Sequence, residues 1–279
     1  MIVPESIHLL PLGTCSANRT KYQKYCSFLL EIKAKESESP FEFLLDCGSI
    51  KCLTEIDPYR LKAIFITHIH LDHTKFLPKL IRTLEHNGRK EPLQVFVHKN
   101  AIKMISLMIK FPFFKIPSFL SIQPIEPNTT FTAYGISISS VEANHPGHAL
   151  ALKFSFSKEN NNQSKDSIEI CFCPDTSAFS THLIPFFKDA DYVLMDTTFN
   201  DKGLEKYIKI GASITHCSPK FSGPILKAAN VKTYIAIHYY WKRFGKTYAE
   251  AVEHLRTAIY EFFRNNIIIS EDLKPIQLL

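Results

Sequence analysis

The stretch Thr67-His68-Ile69-His70-Leu71-Asp72-His73 constrains this chain more than any other. Three histidines and an aspartate fall within seven residues, directly after the apolar run 63–66. A lone histidine would read as a hydrogen-bonded loop residue. Four potential ligands this close, delivered by an apolar strand, read as a metal site instead. Imidazole nitrogen with carboxylate oxygen suits zinc, manganese or iron.

The rest of the chain bounds where such a site can sit. The 279 residues are read as one domain, 1–279, with 45% hydrophobic and 22% charged residues, ordinary values for a soluble globular protein. The formal net charge of +6 is scattered, without a Lys/Arg block of the kind that marks a nucleic-acid tail. It suits an anionic substrate. The cysteines at 15, 26, 47, 52, 171, 173 and 217 are odd in number and lack small-domain spacing, which argues against a disulfide framework. Cys171 and Cys173 alternate along an expected strand and read as small buried hydrophobes. The first residues lack the basic and apolar regions of a secretory leader. The most apolar segment, 104–120, is broken by Lys110, Pro112, Lys115 and Pro117 and does not read as a membrane span. The expectation is a reduced, cytoplasmic protein.

Strands are expected over 7–13, 26–32, 41–46, 61–67 and 93–97, and helices over 76–86 and 101–110, the first helix from its apolar spacing at Phe76, Leu77, Leu80, Ile81 and Leu84. Asn87-Gly88 reads as its C-cap. A second run of strands is expected at 136–141, 149–156 and 167–173, with 158–166 as a polar hairpin tip. Helices at 179–188 and 219–229, strands at 192–195 and 231–237, and a closing helix at 248–263 follow. Segment 110–119 interleaves Phe111, Phe113, Phe114 and Phe119 with Lys and Pro. It reads as a helix end buried by its aromatics, with a substrate-facing rim or a subunit interface as the alternatives. Two halves of strands and helices, with no Pro/Gly/Ser linker between them, imply layers of helices, sheet, sheet and helices.

Further polar candidates sit just past expected strands: Asp46, His145, Asp175, Asp196, His216 and His238. Loops at strand ends can converge on one cleft because the sheets hold them rigidly. Taken in order, His68-x-His70-x-Asp72-His73, then His145, Asp175 and His238, resembles the metallo-β-lactamase superfamily, and Leu45-Asp46-Cys47-Gly48 is similar to its first motif. The resemblance covers roughly 7–240. It implies an α+β fold, a four-layer αββα sandwich. Leu77-Pro-Lys-Leu-Ile-Arg, Asp196-Thr-Thr-Phe199 and Thr215-His216-Cys-Ser resemble elements of the ribonuclease Z-like and phosphodiesterase branch, with Asp196 where that branch has Glu. The tRNA-processing enzymes of that branch carry a long arm. Between His145 and Asp175 this sequence has only two expected strands and a short tip.

The resemblance implies two divalent metal ions, zinc or else manganese or iron. His68, His70 and His145 would hold the first, Asp72, His73 and His238 the second, and Asp175 would bridge them. It implies a metal-dependent hydrolase, a phosphodiesterase that cleaves a cyclic nucleotide or an RNA-type diester by a metal-bound hydroxide. In that scheme Asp72 belongs to the catalytic centre, His216 protonates the leaving oxygen, Asp196 orients His216, and Asp46 supports a ligand by hydrogen bond. His148 is expected at the surface. A thioester or lactone hydrolase, or a tRNA 3′-processing endonuclease without the usual arm, is the alternative. The expected partner is a small-molecule or nucleotide phosphodiester, with RNA less favoured, no membrane, and a homodimer as the family often forms.

Overall fold

The computed structural model describes residues 1–112, 114–158 and 167–279. Phe113 and most of the polar tip expected over 158–166 lie outside the described residues. Along the chain the strands are β1 (Pro4–Gly13), β2 (Ser27–Ala34), β3 (Phe41–Leu45), β4 (Leu61–Ile66), β5 (Leu93–His98), β6 (Leu120–Ile125), β7 (Thr130–Ala133), β8 (Ile136–Glu142), β9 (Leu150–Ser157), β10 (Ser167–Cys173), β11 (Tyr192–Asp196), β12 (Thr233–Ile237), β13 (Asn266–Ile269) and β14 (Ile276–Gln277). The helices are α1 (Leu71–Thr74), α2 (Leu77–His86), α3 (Ile102–Lys110), α4 (Ile184–Phe187), α5 (Asp201–Lys209), α6 (Pro219–Ala228) and α7 (Tyr248–Tyr260).

The strands form two sheets, ordered β14-β1-β2-β3-β4-β5-β6 and β13-β12-β11-β10-β9-β8-β7. In the first, β3 through β6 run parallel. In the second, β10 through β13 do. Side-chain alternation explains why these strands read as unbroken apolar runs. On β4, Ala63 and Phe65 face the other sheet, while Ile64 and Ile66 face the outer helices. The layer between the sheets is rich in phenylalanine: Phe28, Phe43, Phe65, Phe154, Phe156 and Phe172 are all fully buried there. Each such ring contributes roughly 1.5–3 kcal/mol relative to exposure. One outer layer packs α2 and α3 on the first sheet through Leu77, Leu80, Ile81, Leu84, Ile105 and Ile109. The other packs α4, α6 and α7 on the second through Phe187, Ile225, Leu226, Leu255 and Ile259. The expected order of helices, sheet, sheet and helices is the observed one.

Some local expectations are corrected. The helix over 179–188 is only a 3₁₀ turn at Thr181–Leu183 followed by the four residues of α4. Pro185 lacks the N–H that a helix interior needs and is tolerated only in a first turn, so the helix begins beside it. Strand β6 was not anticipated because Pro124 interrupts it, but β6 is an edge strand, where a missing donor costs little. In segment 110–119 the aromatics do not bury the helix end. Phe111 and Phe114 are 77% and 50% exposed, and of the segment's described aromatics only Phe119 enters the core. Helix α3 ends at Lys110 and the chain turns outward, with Phe114 lying under the Arg82 guanidinium at 4.6 Å. All seven cysteines are free and buried. Among the described residues no helix is long and apolar enough to cross a membrane.

Candidate metal centre

Asp46, His145, Asp175, Asp196 and His238 lie at or just past strand ends that the two sheets bring together, whereas His216, expected just past a strand, lies in the loop between α5 and α6, because α5 occupies the chain to Lys209 and Gly211 turns it with left-handed backbone. From the first sheet, β3 delivers Asp46, and β4 delivers Thr67 to His70 and then α1 with Asp72 and His73. From the second, β8 leads to His145, β10 to Asp175, β11 ends on Asp196, and β12 is followed at once by His238. Asp46 and His238 both adopt left-handed backbone, at φ 58° and 56°. That conformation costs an L-residue roughly 1–2 kcal/mol and persists where the surroundings over-determine it.

The histidine tautomers follow from their outer hydrogen bonds. His73 Nδ1 donates to Asp46 Oδ2 at 2.7 Å. His145 Nδ1 donates to the Thr215 carbonyl at 2.7 Å. Thr67 Oγ1 gives its proton to Asp46 at 2.8 Å, so it accepts from His68 Nδ1 at 3.2 Å. Thr198 Oγ1 gives its proton to the His238 carbonyl at 2.8 Å, so it accepts from His238 Nδ1 at 2.9 Å. In all four rings the Nε2 lone pair is therefore left pointing inward.

The inward nitrogens form two groups. His68 Nε2 and His145 Nε2 lie 3.0 and 3.1 Å from His70 Nδ1. His73 Nε2 lies 3.2 Å from His238 Nε2, which is 3.3 Å from Asp72 Oδ2. Asp175 stands between the groups and divides its oxygens. Oδ2 is 3.4 and 3.3 Å from His68 and His145 Nε2, and Oδ1 is 3.4 and 3.1 Å from His73 and His238 Nε2. Oδ1 is buried without a hydrogen-bond partner. Lone pairs facing lone pairs around a divided carboxylate fit two cations, one per group, and the N/O donor set suits zinc, manganese or iron.

The electrostatics point the same way. Burial, reinforced by the neighbouring His73, lowers His68 to about 4. Burial likewise lowers His145 to about 4. At His73, burial is outweighed by Asp175 and Asp46 on either side, and its pKa stands well above the ordinary value. The carboxylates thus call for positive charge beside His73, which a cation can supply while the ring stays neutral. Burial opposes ionisation of Asp175, yet His238, His73 and His68 hold it well below the usual carboxylate range.

His216 stands apart from both groups. Its Nδ1 bonds Asp196 Oδ2 at 2.9 Å and lies 4.0 Å from Asp175 Oδ2. Burial lowers its pKa, but the charge and hydrogen bond of Asp196 outweigh that and raise it to about 9. The shorter aspartate reaches the ring because β11 ends on it. Asp196 also accepts from the backbone N–H of Thr198 at 2.8 Å and those of Thr176 and Cys217 at 3.3 Å. His148 is exposed as expected, with its ring stacked on His98 at 5.0 Å. Thr67, Thr198 and Thr215 went unrecognised as ring-orienting residues in the sequence. The only signal was their place beside His68, His216 and Asp196.

Two substitutions test this scaffold. Replacing Asp46 with Asn keeps the acceptor for Thr67 but removes the charge behind His73. Metal affinity, measured by chelator competition, is expected to weaken about 10- to 100-fold. A Cβ on Gly48 would lie 1.7 Å from the Asp72 carbonyl oxygen, where Cys47 N donates to the His73 carbonyl at 2.7 Å and ties the two loops together. Gly48→Ala must push α1 away. It is expected to lower stability by about 3 kcal/mol in urea unfolding, with looser metal binding.

A family model described as the beta-lactamase superfamily domain matches residues 51–239. Ribonuclease Z of Methanococcus maripaludis is 31% identical over 122 residues, 42% of this chain and 38% of that protein. Ribonuclease Z of Nitrosopumilus maritimus is 24% identical over 314 residues, covering 97% of this chain and 99% of that one. The chain spans less than half the length of the methanogen relatives it matches, between 26% and 46%. Among solved structures, the metallo-beta-lactamase fold protein YhfI of Bacillus subtilis superposes with a TM-score of 0.75 at 17% identity, over 97% of this chain and 98% of that one. The short form of human tRNase Z does so with a TM-score of 0.70 at 15% identity, over 98% and 99%. The matched span of 51–239 takes in all seven inward-facing donors, from His68 to His238, and the chain therefore belongs to the metallo-β-lactamase superfamily.

Proposed function

We propose that this chain is a two-metal phosphodiesterase acting on a nucleotide or RNA-type diester. The division of Asp175 between two nitrogen groups carries the reading, and relatives named ribonuclease Z support it. His68, His70 and His145 would hold one ion, Asp72, His73 and His238 the other, with Asp175 shared. When bound, two divalent cations supply Lewis acidity and a water acidic enough to attack near neutral pH. The chain's own residues do the rest. Asp46, Thr67, Thr198 and the Thr215 carbonyl fix the imidazoles, so no ring has to reorient during the reaction. Asp196 keeps His216 charged with its Nδ1 occupied, which leaves Nε2–H to protonate the departing oxygen. This proton matters for an alkoxide and little for a thiolate, so the His216–Asp196 pair favours a phosphodiester over a thioester.

Metal content should be measured after zinc or manganese loading, on the same sample used for turnover of bis(p-nitrophenyl) phosphate, 2′,3′- and 3′,5′-cyclic nucleotides, a dinucleotide and S-lactoylglutathione. The expected result is two equivalents of metal with diester hydrolysis. Turnover of the thioester alone would overturn the reading, and so would one equivalent or none.

A further inference from the structure

Arg243 is a half-buried arginine whose surroundings differ from those of the buried Arg89. The Arg89 guanidinium is used up by backbone carbonyls, those of Glu91, Pro58, Leu61 and Pro92. Arg243, half-buried in the 3₁₀ turn Trp241–Arg243 that follows His238, gives one N–H to the Thr198 carbonyl at 2.7 Å. Among the described residues it has no carboxylate partner within ion-pair distance. Its position is fixed from two sides. The guanidinium lies 4.2 Å over the Phe199 ring, and the Arg243 carbonyl accepts from Asn200 Nδ2. Burial lowers its pKa, while Tyr207 and Asp196 lie close enough to act in the opposite direction.

The neighbours of Phe199 place this cation. The ring lies 5.2 Å from that of Tyr207 and 6.3 Å from that of His216, centroid to centroid. Tyr207 is 44% exposed. Arg243 and Tyr207 thus meet at the Phe199 ring, next to His216, the group that would protonate the departing oxygen. A guanidinium with no ion-paired carboxylate among the described residues, beside a phenol and over an aromatic ring, is suited to a phosphate, to which it presents several N–H donors in one plane.

We propose that Arg243, assisted by Tyr207, forms an anion subsite for a second phosphate of the substrate, adjacent to the scissile one on the His216 side. The inference rests on the hydrolase reading for the direction of the departing group, but not for the binding itself. It separates two substrate classes that the metal centre alone treats alike. A cyclic mononucleotide has no second phosphate to offer, whereas a nucleotide chain does. A charge-assisted hydrogen bond contributes roughly 1.5–3 kcal/mol, so about a 10- to 100-fold preference is expected.

The test uses calorimetric binding of uridine 3′,5′-bisphosphate against uridine 3′-monophosphate and 5′-monophosphate to the metal-loaded protein. It adds the kinetics of UpU against pUpU and UpUp. Wild type should bind the bisphosphate at least tenfold more tightly than either monophosphate, and should prefer one phosphate-extended dinucleotide through KM rather than kcat. Arg243→Gln should erase both preferences, Arg243→Lys should retain part of them, and Tyr207→Phe should weaken them. Equal affinity for bisphosphate and monophosphates in wild type would overturn the subsite, as would an undiminished preference in Arg243→Gln. So would an equal loss of every ligand in Arg243→Gln, which would mark a purely structural arginine. If the binding preference is present and lost in Arg243→Gln while no diester is turned over, the subsite stands and the hydrolase reading falls.

Discussion

Asp175→Ala is expected to remove hydrolysis of any diester by about three orders of magnitude or more, which corresponds to roughly 4 kcal/mol of transition-state stabilisation. The size follows from the position. Asp175 faces both nitrogen groups, and each of its oxygens lies within 3.4 Å of two imidazoles. Its removal leaves two half-sites with no shared ligand and lowers the negative charge that holds cations there. Metal content after dialysis should therefore fall together with activity. Asp175→Asn keeps the volume and one acceptor oxygen, and it should fall between the variant and wild type in metal retention. A variant that kept two tightly held ions and near-normal turnover would remove Asp175 from the bridging position. Near-ultraviolet circular dichroism on the same samples distinguishes a lost ligand from a lost fold.

His216→Gln is expected to act differently, sparing the metal and striking the departing group. It should retain both ions and lose about 10²- to 10³-fold in kcat on a dinucleotide, whose alkoxide needs a proton. On bis(p-nitrophenyl) phosphate, whose phenolate leaves without one, the loss should be far smaller. The pH dependence carries a sign. As the proposed acid, His216 would act only while protonated, so the rate is expected to fall as pH rises through its pKa, which Asp196 raises to about 9. Cations bound nearby push that value down, so the alkaline limb lies at or below pH 9. Asp196→Asn removes the charge that raises it and should move the limb to lower pH. Equal losses on both substrates would assign His216 to substrate binding or to structure.

The strand-end residues were legible in the sequence because their signal is local. An apolar run stops and a His or Asp follows, as at Ile66–Thr67–His68 or Ile237–His238. The layering was legible for the same reason, since strands buried on both faces lose their polar alternation. The orienting residues were not. Thr198 matters because its hydroxyl meets the His238 backbone and ring, forty positions away. Arg243 matters because β11 and β12 run side by side and set their trailing loops together. Such pairings exist only in three dimensions. Phe111 and Phe114 erred in the opposite direction. Their hydrophobicity suggested burial, but α3 ends at Lys110, before either ring can reach the core.

The seven inward-facing donors are split between the sheets: four come from loops of the first and three from loops of the second. Each ion would therefore be gripped from both sides of the phenylalanine layer and would act as a rivet across it. Sliding of one sheet over the other would pull the ligands out of register, so rings such as Phe65 and Phe154, packed edge-to-face at 5.2 Å, act as spacers for a site they never touch. Loosening that layer should show first as faster metal release, before any change in secondary structure. Saturating metal should in turn raise the melting temperature by tying the two sheets together.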